Sequence, residues 1–306
     1  MWYNKFIMNK PVVFENEQER QQYIAYLCEY ARNLAERNLE TIPNYANTRT
    51  EREIAVQSFI LCFPEYCEIG LIEDLMNIEI ADMEYNVDKN RDGGINTKGS
   101  NEFPFHRINV QRNKLDFLDM PRYNIDNILH ELIHETCFYN LDFQGLSISE
   151  REHLIQSKLK SPRIFTVEGV VEGITQQIVH SIEFKRLCKE YNYKPLCVSS
   201  NYNLEVAVTG LINLVYDDDL IKWHTFSDGY DSAIFSSQDT ELARLGRVLD
   251  VLGSQYTDKR DKELKKRRLF PEYRQVPIKY NENLPNLICK ILRGFVGENL
   301  MYMQLD

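Results

Sequence analysis

The stretch ILHELIHE, residues 128–135, contains the pattern H-E-x-x-H. Its two histidines, His130 and His134, are four residues apart, so on an α-helix their imidazoles lie on one face, one turn apart, where both can bind one metal ion. Glu131 follows the first histidine and can reach a water molecule beside that ion. The surrounding residues are apolar, as in a buried helix: Ile128, Leu129, Leu132 and Ile133. We therefore predict a buried metal-binding helix over residues 123–139.

A third protein ligand must come from another part of the chain, because two histidines leave a catalytic zinc site one ligand short. Cys137 and Asn140 stand where an extended H-E-x-x-H-x-x-G-x-x-H motif needs Gly and His, which excludes a three-histidine set. The stretch TVEGVVEGITQQI, residues 166–178, offers Glu168 and Glu172 instead. These glutamates share one helix face, so one can bind the metal while the other supports a histidine.

This combination resembles the gluzincin group of zinc metallopeptidases, in which H-E-x-x-H is followed by a glutamate ligand on a later helix. In many bacterial members that glutamate begins an E-G-x-T segment, as Glu172 does here. The stretch from Tyr202 to Val206, Y-N-L-E-V, resembles the Y-x-x-E-V of the helix that often follows. The resemblance covers about residues 103–224 and implies a zincin-like catalytic core.

The resemblance implies a role for each residue that carries it. His130 and His134 would bind Zn²⁺, Glu131 would be the general base, and Glu172 would be the third ligand. Glu168 is the alternative ligand. Gln176 stands where an acid often follows the ligand by four residues; if Glu168 were the ligand, Glu172 would occupy that place.

A donor for the oxyanion of a tetrahedral intermediate is also needed. Tyr202 is our candidate for this role, and His224 is a weaker one. His106 lies on a predicted strand and could line a cleft for an extended peptide. The function that we expect is a zinc-dependent hydrolase acting on a peptide or protein. The alternative is a metal-binding regulatory or interaction protein without catalytic activity.

The composition is that of a globular chain. Of 306 residues, 43% are hydrophobic and 27% charged, and 46 acidic against 36 basic side chains give a net charge of −10. The negative charge argues against a nucleic-acid backbone as the partner. No apolar run is long enough for a membrane span or a secretory signal. Seven cysteines without a C-x-x-C pair indicate reduced thiols, so we expect a cytoplasmic protein.

Apolar periodicity predicts a mainly α fold with a small sheet. We expect helices over residues 16–39, 51–85 with a break near Pro64, 149–159, 166–191, 203–215 and 287–301. Residues 103–111 alternate like a strand, and the polar segment 86–101 should be a loop. We predict a helical N-terminal region (1–100), a zincin-like catalytic core (101–255) and a C-terminal helical tail (256–306).

Residues 88–99 lie within this predicted loop and match the first part of an EF-hand. The pattern D-x-N-x-D-G-x-I begins at Asp88, but the twelfth position is Gly99 rather than the bidentate glutamate that calcium requires. Because Asp, Asn and Gly readily form turns, we expect a polar turn here.

Overall fold

Helices dominate the part of the chain that this computed structural model describes: residues 11–82, 99–102, 107–110, 123–139, 164–195, 203–216 and single positions between 248 and 294. Within these ranges there are seven α-helices: α1 (Glu17–Thr41), α2 (Arg49–Cys62), α3 (Ile69–Asn77), α4 (Ile125–Tyr139), α5 (Ile164–His180), α6 (Ile182–Glu190) and α7 (Asn203–Tyr216). Three strands accompany them: β1 (Glu79–Asp82), β2 (Gly99–Glu102) and β3 (Arg107–Val110). The prediction of a mainly α fold with a small sheet is confirmed, whereas the three predicted domain ranges stay predictions.

The helices predicted over residues 16–39, 123–139 and 203–215 are confirmed as α1, α4 and α7. Helix α1 begins where Asn16 caps it, since the Asn16 side chain accepts a hydrogen bond of 2.9 Å from the Glu19 amide. The structure does not describe residues 149–159 and describes residues 287–301 only at single positions, so the helices predicted there stay predictions. The expected turn at 88–99 also lies outside the described residues, apart from Gly99.

The small sheet has the order β1-β3-β2, with β3 parallel to β1 and antiparallel to β2. Gly99 pairs with Val110 at one end of the antiparallel pair. Two predictions are corrected here, because β1 lies inside the helical region 51–85 and β2 overlaps the loop 86–101. Four residues are too few for apolar alternation to indicate a strand, and the partner of β1, strand β3, is distant in sequence.

Helix α2 is the centre of the helical assembly. It packs against α1 and α3 from its own part of the chain and against α4 and α6 from further along. The buried apolar residues of α2 include Ile54, Ala55, Val56, Phe59 and Ile60. Because α2 contacts α4 directly, the N-terminal helices pack behind the helix that carries the H-E-x-x-H pattern.

A buried arginine on α2 donates hydrogen bonds to carbonyl groups at the C-terminal end of α3. The side chain of Arg52 is covered, and its Nη1 donates hydrogen bonds to the carbonyls of Leu75, Met76 and Ile78 at 3.2, 3.4 and 2.7 Å. The guanidinium also lies over the Tyr45 ring, 4.8 Å from its centroid. Burial lowers the pKa of Arg52 to about 10, so it stays charged at neutral pH. A positive charge is favourable at a helix C-terminus, where carbonyls lack partners within the helix.

The helix predicted over residues 166–191 is wrong in one respect, because the structure divides it into α5 and α6. Ser181 separates them with extended backbone dihedrals, and its side chain accepts a hydrogen bond of 3.0 Å from the Phe184 amide. Apolar periodicity continues across the break and therefore hides it. The serine itself, a preferred N-cap residue, was the available signal.

Two tyrosines at the end of α6 connect distant parts of the chain. The Tyr191 hydroxyl donates to Glu53 Oε2 at 2.6 Å and accepts from Gln57 Nε2 at 2.8 Å, both on α2. The Tyr193 hydroxyl donates to the carbonyl of Tyr123 at 3.0 Å, just before α4 begins. The end of α6 therefore fixes α2 and the start of α4 relative to each other.

Candidate metal centre

Helix α4 presents the two histidines of H-E-x-x-H side by side. The rings of His130 and His134 lie 5.0 Å apart between centroids and are inclined by 74°. Their side chains are 11% and 14% exposed, so both are largely shielded from solvent. The apolar residues around them are buried, as the sequence predicts: Ile128, Leu129, Leu132 and Ile133.

Helix α5 supplies a carboxylate to both imidazoles. Glu168 Oε2 lies 3.1 Å from His130 Nε2 and 3.6 Å from His134 Nε2. One ligand atom from each of these residues lies within 4.8 Å of the other two, so the three side chains form a group able to hold a metal ion. Two imidazole nitrogens and one carboxylate oxygen are the donor set of many catalytic zinc sites.

Glu172 lies on the other side of the His130 ring. Its Oε2 is 3.0 Å from His130 Nδ1, while Gln176 Nε2 donates to its Oε1 at 2.7 Å. A carboxylate on the second nitrogen of a ligating histidine typically orients the ring. The sequence favoured Glu172 as third ligand, but the structure groups Glu168 with both imidazoles. The alternative from the sequence, with Glu172 as supporting acid, fits this geometry.

The charges of the group depend on one another. Burial lowers the pKa of His130, but hydrogen bonds to Glu168 and Glu172 outweigh it and raise the pKa to about 10. Burial raises the pKa of Glu168, and the neighbouring His134 and His130 outweigh it and hold that pKa far below its ordinary value. Without a metal, a proton on His130 therefore supplies positive charge between two carboxylates.

Glu131 is buried beside this group. Burial raises its pKa, and the charges of His130 and His134 oppose the shift only in part. A carboxylate with a raised pKa is better matched to proton transfer near neutral pH than an ordinary one. The general-base role predicted from the sequence is therefore chemically reasonable at this position.

Helix α7 packs closely on α5 next to the Glu168 position. A Cβ atom on Gly169 would lie 2.6 Å from the carbonyl oxygen of Glu205 and 2.8 Å from Thr209 Cγ2, so only glycine permits this approach. Gly169 was not among the residues predicted from the sequence. Its signal was a glycine inside an otherwise apolar helix, which often indicates close packing.

The structure does not describe the predicted site residues that lie outside the H-E-x-x-H pattern and α5. Tyr202 lies outside the described residues, as do His106 and His224, so their roles stay predictions. Among the described helices, none is both long and apolar enough to cross a membrane. No protein-family model matches the chain, and no curated protein or solved structure matches it either.

Proposed function

We propose that the protein is a Zn²⁺-dependent hydrolase and, by its resemblance to the gluzincins, a peptidase. The observation that carries this proposal is the close grouping of His130, His134 and Glu168, in which the histidines belong to an H-E-x-x-H helix. Such a donor set leaves a position on zinc open for water or substrate, which is typical of catalytic rather than structural sites.

We assign Glu168 as the third ligand and Glu172 as the residue that orients His130. The oxygen of Glu168 lies near the Nε2 atoms of both histidines, whereas Glu172 Oε2 lies 3.0 Å from the Nδ1 atom of His130. A metal held by both Nε2 atoms is therefore within reach of Glu168. In that arrangement, the Nδ1–H of His130 donates to Glu172, which increases the basicity of the ligating nitrogen.

Glu131 acts as the general base in this proposal. It accepts the proton of the attacking water and later delivers it to the leaving amine. When bound, the zinc ion supplies Lewis acidity to the substrate carbonyl and lowers the pKa of water. Tyr202 remains our proposed oxyanion donor. In sequence it lies three residues before Glu205, whose backbone would be in close contact with a Cβ on Gly169.

The proposed substrate is a peptide or protein. The net charge of −10 supports a substrate other than nucleic acid, and seven cysteines without a C-x-x-C pair support a cytoplasmic location.

The test is the substitution Glu131→Gln, which preserves the shape of the side chain and removes its ability to accept a proton. Zinc per chain should stay at the wild-type level, whereas hydrolysis of a peptide library should fall by about 10²–10⁴-fold. Glu190→Gln on the exposed end of α6 is the matched control and should retain full activity.

Three results would contradict parts of the proposal. If the wild-type protein bound no zinc, the proposed metal centre would be wrong. If the Glu131→Gln variant cleaved peptides at the wild-type rate, the assignment of Glu131 as the general base would be wrong. A wild-type protein that binds zinc and cleaves no peptide would favour the regulatory alternative.

A further inference from the structure

We infer that Gln176 is a positioning residue for His130 and acts on it through Glu172; this inference rests on the proposed metal centre. Gln176 Nε2 donates a hydrogen bond of 2.7 Å to Glu172 Oε1. The other oxygen of the same carboxylate, Oε2, lies 3.0 Å from His130 Nδ1. The two contacts form a continuous chain from α5 to the ligating histidine.

The chain is a consequence of helical spacing. Glu168, Glu172 and Gln176 follow one another at intervals of four residues and therefore share one face of α5. Glu168 on the first turn of this face contacts both imidazoles, Glu172 on the second contacts His130, and Gln176 on the third contacts Glu172. Gln176 is partly exposed, while Glu172 is buried, so the glutamine lies at the outer end of the chain.

The amide of Gln176 restricts the carboxylate of Glu172. A glutamate side chain has several rotatable bonds, and ordering it costs conformational entropy. With Oε1 bound to Gln176, Oε2 is left to face the ring of His130. An amide nitrogen can only donate, so the contact also adds no negative charge beside three glutamates that already surround the histidines: Glu131, Glu168 and Glu172.

The consequence for the metal centre concerns the tautomer of His130. A carboxylate oxygen held against Nδ1 favours the tautomer with its hydrogen on Nδ1, because that nitrogen can then donate. The lone pair of Nε2 is consequently directed towards Glu168 and His134, where a metal would bind. The opposite tautomer would place a hydrogen at the ligating position.

A double-mutant cycle tests whether Gln176 acts through Glu172. Zn²⁺ affinity is measured by chelator competition for the wild type, Gln176→Ala, Glu172→Ala and the double variant. We expect Glu172→Ala to weaken affinity by about 10–100-fold and Gln176→Ala by up to about 10-fold. The double variant should bind like Glu172→Ala alone, because the effect of Gln176 requires the glutamate.

Two further variants separate this role from simple helix stabilisation. Gln177→Ala changes the exposed neighbour on the same helix and should retain wild-type affinity. Gln176→Glu should bind zinc at least as weakly as Gln176→Ala, since an ionised carboxylate cannot donate to Glu172. The visible spectrum of the Co²⁺-substituted protein should shift in Gln176→Ala and stay unchanged in Gln177→Ala.

The inference fails alone if the wild type binds zinc and Gln176→Ala binds it equally well. It also fails alone if the losses in Gln176→Ala and Glu172→Ala add up in the double variant. A wild-type protein without zinc affinity would overturn the metal centre and this inference together.

Discussion

The two ring nitrogens of His130 have different carboxylate partners, and this difference divides the site into two parts. Nε2 faces Glu168, which also approaches His134, whereas Nδ1 faces Glu172. The side of Nε2 is suited to hold a metal, and the side of Nδ1 is suited to orient the ring. A single histidine thus connects the ligand group to its support.

The first prediction at the residue scale concerns the two glutamates. Glu168→Ala removes a proposed ligand and should leave zinc occupancy far lower than Glu172→Ala, which should lose only about 10–100-fold in affinity. Metal analysis of the two purified variants after dialysis shows which of them retains more zinc per chain. If Glu172→Ala lost the metal and Glu168→Ala retained it, Glu172 would be the ligand, as the E-G-x-T resemblance implies.

The second prediction concerns pH. In the metal-free protein, the pKa of His130 is raised from 6.5 to about 10, so the ring is protonated at neutral pH. Zinc needs the neutral ring and must displace that proton. Zinc affinity should therefore rise as the pH increases towards about 10. Binding at pH 8 should release about one proton from this residue.

Calorimetry in two buffers with different ionisation enthalpies measures the number of released protons. Gln177→Ala, changed at an exposed position of α5 outside the ligand group, serves as the control and should release the same number of protons. Equal binding enthalpies in both buffers for the wild type would contradict the prediction.

The sequence was sufficient for part of the candidate site. The spacing of His130 and His134 requires only helical periodicity, so the pair could be predicted without tertiary information. The choice between Glu168 and Glu172 could not, because both share one face and lie a single turn apart. Which of the two faces both imidazoles depends on how α5 is placed along α4, and local sequence does not contain that information.

At the scale of helices and strands, the close packing of α5 and α7 gives a third prediction. Gly169→Ala should lower the free energy of unfolding by about 1–3 kcal/mol, because the new Cβ would overlap the backbone of Glu205 and force the helices apart. It should also weaken zinc binding, since Glu168 is the preceding residue. Urea unfolding and chelator competition measure the two effects.

Gly210→Ala on α7 is the matched control. A Cβ there would have no atom within 4 Å, and alanine is a better helix former than glycine. This variant should be as stable as the wild type or more stable by up to about 1 kcal/mol. Equal losses of stability in the Gly169 and Gly210 variants would show that close packing is not the cause.

Prediction of the elements from the sequence depended on length. The long amphipathic helices α1, α4 and α7 have several turns of periodic apolar residues, and their extents were predicted to within a few residues. The strands β1 and β2 have four residues each, and the partner of β1, strand β3, is distant in sequence. Their pairing depends on tertiary contacts that local periodicity does not indicate.

For the whole molecule, the buried charge of Arg52 gives the fourth prediction. Arg52→Met replaces the charged side chain by an apolar one and removes the Arg52 hydrogen bonds to the carbonyls of Leu75, Met76 and Ile78. Of these carbonyls, that of Met76 also accepts a hydrogen bond from Asn38 Nδ2. We expect a loss of about 2–5 kcal/mol in the free energy of unfolding. The variant should still bind one zinc per chain under native conditions, because Arg52 makes no contact with the ligand group.

Urea unfolding of the metal-free protein measures this loss. Arg186→Met on the exposed face of α6 is the control and should change stability by less than about 0.5 kcal/mol. A similar small change in Arg52→Met would show that the carbonyls at the end of α3 find other partners.

The hydrogen bonds of Tyr191 and Tyr193 have a consequence for synthesis on the ribosome. Helix α2 leaves the ribosome well before α4 and α6, the helices that cover its remaining surface. At about 5–20 residues per second, the interval between Cys62 and Tyr193 takes on the order of ten seconds. We therefore expect the growing chain to expose apolar side chains of α2 during this time, and aggregation of the nascent chain to compete with folding until Tyr191 and Tyr193 emerge.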